Sequence, residues 1–270
     1  MNEVKSEGMR RFTTVHPLFM SFYSKALYQD VGRHWKKISI LYLFLLLAVC
    51  SIPIAFRVHS AVSDYLRNEA PKIVKQVPVI AISNGAASVN KEMPYIIKDP
   101  ESGVPLIIID TTGKTDSLKG TDAVVLLTKT KLFFGRSPKD TRILDLSELD
   151  TLTIDQTSVY GWIETFLDYF IFVFYPFALL FSFLFRLVEA LIFGAMGILF
   201  ARNMKVPLRY QAALSLAIIS MTPAIILDTL YNYGDINIPF WWIINFLIAL
   251  GYLFFAVKAT AESAGPEAGI

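Results

Sequence analysis

Residues 38–56, ISILYLFLLLAVCSIPIAF, carry no charged side chain. As a helix, about 19 such residues reach roughly 28 Å, enough to cross a hydrocarbon core. Apolar sequence resumes near Trp162 and scarcely stops before Lys258. A soluble domain keeps its apolar content near or below half. Here apolar residues are 54% of 270, and the mean hydropathy is +0.49. The chain therefore reads as an integral membrane α-helical bundle, with the lipid bilayer as its first partner. A net charge of +2 gives no reason to expect nucleic acid. Cys50 is the one cysteine and lies in the first apolar run, which excludes an intrachain disulfide. His16, His34 and His59 lack metal-ligand spacing, so neither a metal nor any other cofactor is expected.

The cytoplasmic N-terminal segment, residues 1–37, is too long for a signal-peptide n-region, and no clear small-x-small cleavage site follows the apolar run. Residues 38–57 read as a signal anchor and first transmembrane helix. Arg33, Lys36 and Lys37 crowd its start, with Arg10, Arg11 and Lys25 farther back, which puts the N-terminus inside. Between Phe19 and Trp35, apolar residues recur at helical spacing. They form an amphipathic helix expected to lie in the cytoplasmic interface, with Trp35 as an anchor. A docking helix for a partner is the sharper alternative.

Residues 58–160 change character: charges are frequent and balanced, and β-rich segments alternate with turn signals. Ser83-Asn84-Gly85 after VPVIAI is a hairpin signal, because Asn and Gly tolerate positive φ. PYIIK leads through DPESG, where Pro100 presets a turn and Gly103 can take the left-handed position, into PLIIID. DAVVLLT and KLFFG pair across Lys129-Thr130, and RILDL comes last. About five to seven strands are expected, as an inserted extracytoplasmic antiparallel β domain in the form of one sheet or a small sandwich. Residues 58–75 are expected to form a helix stopping before Pro71, then an extended lead-in.

The segment PLIIIDTTGK, residues 105–114, is the nearest thing to catalytic sequence. A retroviral-type aspartic protease needs Asp-Thr-Gly or Asp-Ser-Gly, and Asp110-Thr111-Thr112-Gly113 has one residue too many. LFFGRS, residues 132–137, resembles the second signature of such proteases but follows the first too closely. Gly113-Lys114 lacks the upstream glycine of a phosphate loop. Asp and Thr at a strand end commonly bond nearby backbone N–H groups. Asp110 is read as the corner of a turn, and no catalytic residue is assigned.

The C-terminal transmembrane bundle occupies residues 161–259. Residues 166–201 exceed one crossing but show no turn signal near their middle, so they are expected to cross once, bending at Pro176. Residues 210–231, interrupted by Pro223, and 240–257 supply two more spans. Charge placement gives four crossings with both termini inside, and five is the alternative. Residues 260–270 form a polar, mobile tail. The chain would then be a multi-pass protein of the cytoplasmic membrane.

Within the bundle, Arg186 and Glu189 stand three apart on one helix face and can pair with each other or with Asp228. Asn245 lies in the last span. Ala190, Gly194, Gly197 and Ala201 form a small-residue stripe that lets another helix approach closely. The charges form either a polar pathway or interhelical glue, and glue is the simpler reading for so few groups.

PYIIKDPESGVPLIIIDTTGK, YPFALLFSFLFRLVEALIFGAMGILFA, TPAIILDTL and IPFWWIINFLIALGYLFFAVKA resemble an uncharacterised bacterial integral-membrane family, defined as a domain of unknown function. The resemblance covers residues 19–259. Some members are labelled maltodextrin utilization protein, and the family is akin to the Yip-type superfamily. It implies no catalytic residue and at most proximity to sugar uptake. The expectation is a non-enzymatic scaffold, sensor or accessory protein, with protein partners in the membrane and an unknown small-molecule ligand, if any. An accessory or component of a maltodextrin uptake system is the alternative. Intramembrane proteases would show paired Asp, Ser-His or His-Glu-x-x-His signatures, which the sequence lacks.

Overall fold

The computed structural model describes residues 10–135, 140–234 and 237–263. The chain divides into two compact units, one of Met1–Val58 with Ile171–Ile270, the other of His59–Phe170. Two long helices pass from one unit into the other, α3 (Ile38–Val74) and α4 (Gln156–Asn203).

The helical unit begins with the short α1 (Pro17–Met20) and α2 (Lys25–His34). Ser24 caps α2 by accepting the Leu27 N–H. After α4 come α5 (Tyr210–Ser220), α6 (Thr222–Tyr233) and α7 (Trp241–Ser263). The break between α5 and α6 falls at Met221, because Pro223 has no N–H to continue the ladder and suits a first helical turn. Among the described residues, four helical stretches are long and apolar enough to cross a membrane: Ile38–Val74, Gln156–Asn203, Tyr210–Tyr233 and Trp241–Glu262. The 166–201 segment is one uninterrupted helix through Pro176. Residues 260–263, expected as tail, continue α7, and the rest of that tail lies outside the described residues.

Helix α5 is apolar all round and sits inside the unit, with Ala213, Leu216, Ala217, Ile218 and Ile219 fully buried. Helix α2 packs against α5 and α7. This corrects the expectation of an interfacial helix anchored by Trp35. Leu27, Tyr28, Val31 and Trp35 are buried in the bundle core, whereas Phe19 and Tyr23 stay exposed. Trp35 is drawn in because its indole N–H finds Asp30 and its ring meets Tyr42 edge-on.

Among the described residues the second unit holds eight strands: β1 (Ile80–Ser83), β2 (Ala86–Val89), β3 (Tyr95–Lys98), β4 (Pro105–Asp110), β5 (Val125–Thr128), β6 (Lys131–Phe134), β7 (Arg142–Asp145) and β8 (Thr151–Ile154). They form a three-stranded sheet, β2-β1-β8, and a five-stranded one, β3-β4-β5-β6-β7. The expected hairpins are present. Asn84 and Gly85 take φ of 48° and 75°, and Asp99 accepts the N–H groups of Glu101 and Ser102 ahead of a left-handed Gly103. A Cβ on Gly85 would come within 2.7 Å of the Ser147 Cα, so this turn needs glycine for space as well as for φ.

Three expectations change in this unit. The five-stranded sheet is mixed, because β4 and β5 run parallel. A parallel pair needs a crossover, and residues 111–124 supply it without a helix. Leu118 and Ala123 from that crossover cover Ile108, Leu126 and Phe133 on one sheet face. The other face contributes Ile97, Ile109 and Leu127 to a core shared with Ile80 and Ile82 of the small sheet. Second, an eighth strand, β8, pairs with β1. Third, α3 does not stop before Pro71. It runs on to Val74 because Ile73 packs against the sheet core and Val74 is buried, which outweighs the proline's lost hydrogen bond.

Candidate functional site

In the helical unit two acids and one cation are built into the packing. Arg186 and Glu189, one helical turn apart on α4, pair through Nη1 and Oε2 at 2.7 Å. The same guanidinium reaches Asp228 on α6, Nη2 to Oδ2 at 3.0 Å. The other Asp228 oxygen accepts the Trp241 indole N–H at 2.9 Å. The Trp241 ring stacks on Tyr231 with centroids 4.5 Å apart. Asn232 donates its side-chain amide to the Asp228 carbonyl, and Arg57 on α3 donates to the Asn232 carbonyl. Four helices thus meet at this cluster. Arg186 keeps 14% of its side chain exposed, Glu189 22% and Asp228 28%.

The cluster has two carboxylates against one guanidinium. Asp228 and Trp241 lie toward the end of α6 and at the start of α7, whereas Arg186 and Glu189 lie midway along the apolar stretch of α4. Asn245 is one turn along α7 from Trp241, on the same face, and its buried Oδ1 has no partner among the described residues. Beyond it this face continues through Ala249, Leu253 and Ala256, all buried and apolar. The structure brings Arg186, Glu189 and Asp228 together; Asn245 joins them by no hydrogen bond. A guanidinium fork held by two carboxylates ties α4 to α6, and the Trp241 indole on the same Asp228 adds α7, which is the chemistry of a structural clamp.

The small-residue stripe meets neighbours within the chain. A Cβ on Gly194 would stand 3.4 Å from the Leu214 Cα of α5. One on Gly197 would stand 3.5 Å from Leu253 of α7 and 3.6 Å from the Ala213 Cβ. Ala190 and Ala201 are buried. Close approach of α4 to α5 is the use of this stripe.

Sequence reasoning missed a second set of polar contacts. The Ser39 hydroxyl donates to the Ser215 Oγ at 3.1 Å, and Tyr42 and Thr222 share a hydrogen bond of 3.0 Å. Both tie α3 to the α5–α6 pair. Ser215, Thr222 and Thr229 are spaced by seven, a signal that could have revealed this face. The role of Trp241 as partner of Asp228 has no local signal in the sequence.

Asp30 was also missed. It is buried on α2 and accepts the N–H groups of Arg11 (3.0 Å) and Phe12 (3.3 Å), the Trp35 indole (3.0 Å) and His34 Nδ1 (2.9 Å). Burial pushes its carboxyl pKa up, but these hydrogen bonds outweigh that and hold it below the ordinary value.

In the β unit, Asp110 is a corner, as expected. It is fully buried at the end of β4; its Oδ1 accepts the Thr112 N–H (2.9 Å) and hydroxyl (2.6 Å), and its Oδ2 the Thr115 N–H (2.7 Å). Burial raises its pKa, and the Thr112 and Thr115 bonds more than offset this, so the carboxyl titrates below the usual range. Of LFFGRS, residues 136 and 137 lie outside the described residues. No group of three or more His, Cys, Asp or Glu among the described residues could hold a metal ion.

A family model described as "Protein of unknown function (DUF1189)" matches residues 15–257. No curated protein and no solved structure matches the chain.

Proposed function

The chain belongs to the DUF1189 family of proteins of unknown function, and we propose that it is a non-enzymatic, multi-pass protein of the cytoplasmic membrane that binds a protein partner through its β unit. The observation that carries this reading is strand β7. It is an edge of the five-stranded sheet, and all four of its residues are exposed. Ile143 is 58% and Leu144 45% exposed, with Phe134 of the neighbouring β6 at 41%. Edge strands are usually blunted by charge, proline or a cover, and an apolar open edge is a template for an added strand. In this reading the helical unit is a scaffold with four crossings, and its Arg186 cluster is a structural clamp. The β unit is extracytoplasmic and both termini are cytoplasmic, following the basic residues at 33–37 and 202–209. The sugar-uptake association and the Yip-type kinship implied by resemblance are finer versions of this reading, told apart by which partners are captured.

The test is crosslinking in native membranes, followed by quantitative capture of the full-length protein. Ile143→Lys with Leu144→Lys should reduce the captured partners at least fivefold while leaving protein levels unchanged. An unchanged partner set would sink the reading. Topology has its own check. Ser102→Cys should react with an impermeant thiol reagent in intact cells, and Arg202→Cys only after permeabilisation. The reverse pattern would invert the proposed orientation.

A further inference from the structure

We propose that the open edge of β7 takes one kind of partner: an extended segment of another protein, added antiparallel, in which two apolar residues are followed by a carboxylate. The inference rests on the reading of that edge as the docking surface, and adds the register and the charge of what docks there.

The hydrogen bonds of the sheet decide which groups the edge offers. The Gly135 N–H donates to the Val124 carbonyl and the Leu146 N–H to that of Thr130. These bonds put the pairs Leu132–Leu144 and Phe134–Arg142 on the hydrogen-bonded steps of the β6–β7 ladder. Ile143 and Asp145 therefore turn their N–H groups outward, together with the Ile143 carbonyl. The opposite edge of the same sheet is closed. There the Gln76 side chain accepts the Lys98 N–H at 3.1 Å and donates to the Lys98 carbonyl at 2.9 Å, in the manner of a neighbouring strand. Among the described residues β7 has no such cover, so this sheet grows on the β7 side.

Side chains along a strand alternate between the two faces. Arg142 and Leu144 stand on the face of Leu132 and Leu127, and Ile143 and Asp145 on the face of Phe133 and Leu126. Asp145 is already balanced, since it accepts the Ser147 N–H at 2.9 Å and lies opposite Lys131. The exposed Arg142 guanidinium has no ion pair or hydrogen bond among the described residues. The edge thus presents one unmatched cation beside two exposed apolar side chains. An antiparallel strand meets Leu144, Ile143 and Arg142 in that order. Directly opposed side chains share a face and attract when their charges differ, so the matching residues are apolar, apolar and acidic. A second copy of this chain does not match. In a two-fold pairing of β7 with itself only residues of the same face oppose each other, so Arg142 meets Leu144 or Leu146 and never Asp145.

The experiment uses the full-length protein in mild detergent and labelled heptapeptides centred on Val-Ile-Glu, Val-Ile-Gln and Val-Ile-Lys, with binding read by fluorescence anisotropy. The Glu peptide should bind, the Gln peptide about fivefold more weakly, and the Lys peptide more weakly still. Arg142→Glu should reverse that order. Ile143→Pro should lose all three peptides, because it removes an outward N–H and leaves the β6–β7 ladder intact. An unchanged unfolding temperature checks that the sheet is kept in that variant. The inference is overturned if the Glu peptide does not bind, if the three bind equally, or if Arg142→Glu keeps the original order. A wild-type dimer seen by mass photometry and dissociated by Ile143→Pro also overturns it, and assigns the edge to a second copy. Crosslinking capture with Ile143→Lys and Leu144→Lys judges the docking reading separately. Partners lost there, with peptides bound irrespective of charge, leave the docking surface standing and strike out the acidic partner.

Discussion

In the β unit, Asp99, Asp110, Asp145 and Asp155 all accept backbone N–H groups no more than five residues away. In the helical unit, Asp228 takes the Arg186 guanidinium from 42 residues away and the Trp241 indole from 13, and Asp30 takes the N–H of Arg11 from 19. The first group shapes the turns it belongs to. The second fastens separate helices. The contrast follows from the two kinds of backbone. A turn leaves amides free for its own carboxylate, even where that carboxylate is buried, as Asp110 is. A helix has spent its amides on itself, so an acid on it must find side chains or a frayed chain end elsewhere.

This comparison is broken most directly at Arg186. Arg186→Met leaves Glu189 and Asp228 without their cation and should cost about 3–5 kcal/mol, read as thermal unfolding in detergent. Glu189→Gln should cost less, because Asp228 still holds the guanidinium. The double variant should recover part of the Arg186→Met loss, and simple additivity of the two would show that the clamp is not a unit. Gly194→Leu comes next, at about 1–3 kcal/mol, since the Leu214 backbone leaves no room beyond a methyl. Gly194→Ala should be nearly neutral by the same measurement.

Asp30 is the intermediate case, with local and distant donors on one carboxylate. Asp30→Asn should cost about 2 kcal/mol and loosen residues 11 and 12, seen as faster amide exchange there. The pH dependence has a definite sign. The folded pKa of Asp30 is depressed, so its contribution is complete above the ordinary carboxylate value and is lost as pH falls through the lower folded value. Acid titration below about pH 4 should therefore release the N-terminal segment. Constant exchange at residues 11 and 12 across that range would contradict the assignment. Asp110→Asn should have the smallest effect, about 1–2 kcal/mol. Its exchange signature should be confined to Thr112 and Thr115, with the helical unit unchanged.

The same division decides what the sequence made legible. The turns at Asn84-Gly85 and Asp99 to Gly103, the corner at Asp110 and the i,i+3 pair of Arg186 and Glu189 all lie within a few residues, and each could be read directly. The parallel β4–β5 pair could not, because residues 111–124 cross over without the helical pattern that usually marks such a connection. Strand β8 does carry the alternation Thr151-Leu152-Thr153-Ile154, a period-2 signal that a reading ending the strands at RILDL passes over. Trp35 was misplaced because an aromatic at a helix end reads as an interface anchor until its indole is seen on Asp30. Pro71 misled for the opposite reason: its local cost is real, and the packing of Ile73 against a sheet formed later in the chain outweighs it.

The pairing of β8 with β1 also sets an order of events during biosynthesis. Ile80 to Ser83 are made early and can zip to β2 at once through the Asn84-Gly85 turn. Their other edge has to wait for Thr151 to Ile154. Until then the nascent chain carries a half-built sheet with an open row of N–H and C=O groups, and closing it brings together β1 and β8, which are separated by six other strands. Long-range closure of this kind is slow and leaves the edge available to wrong partners. Residue 154 is followed immediately by α4, whose first turn starts at Gln156. The last strand that completes the sheet and the first turn of the longest helix therefore leave the ribosome almost together, which couples the maturation of the β unit to the arrival of the second membrane-length helix.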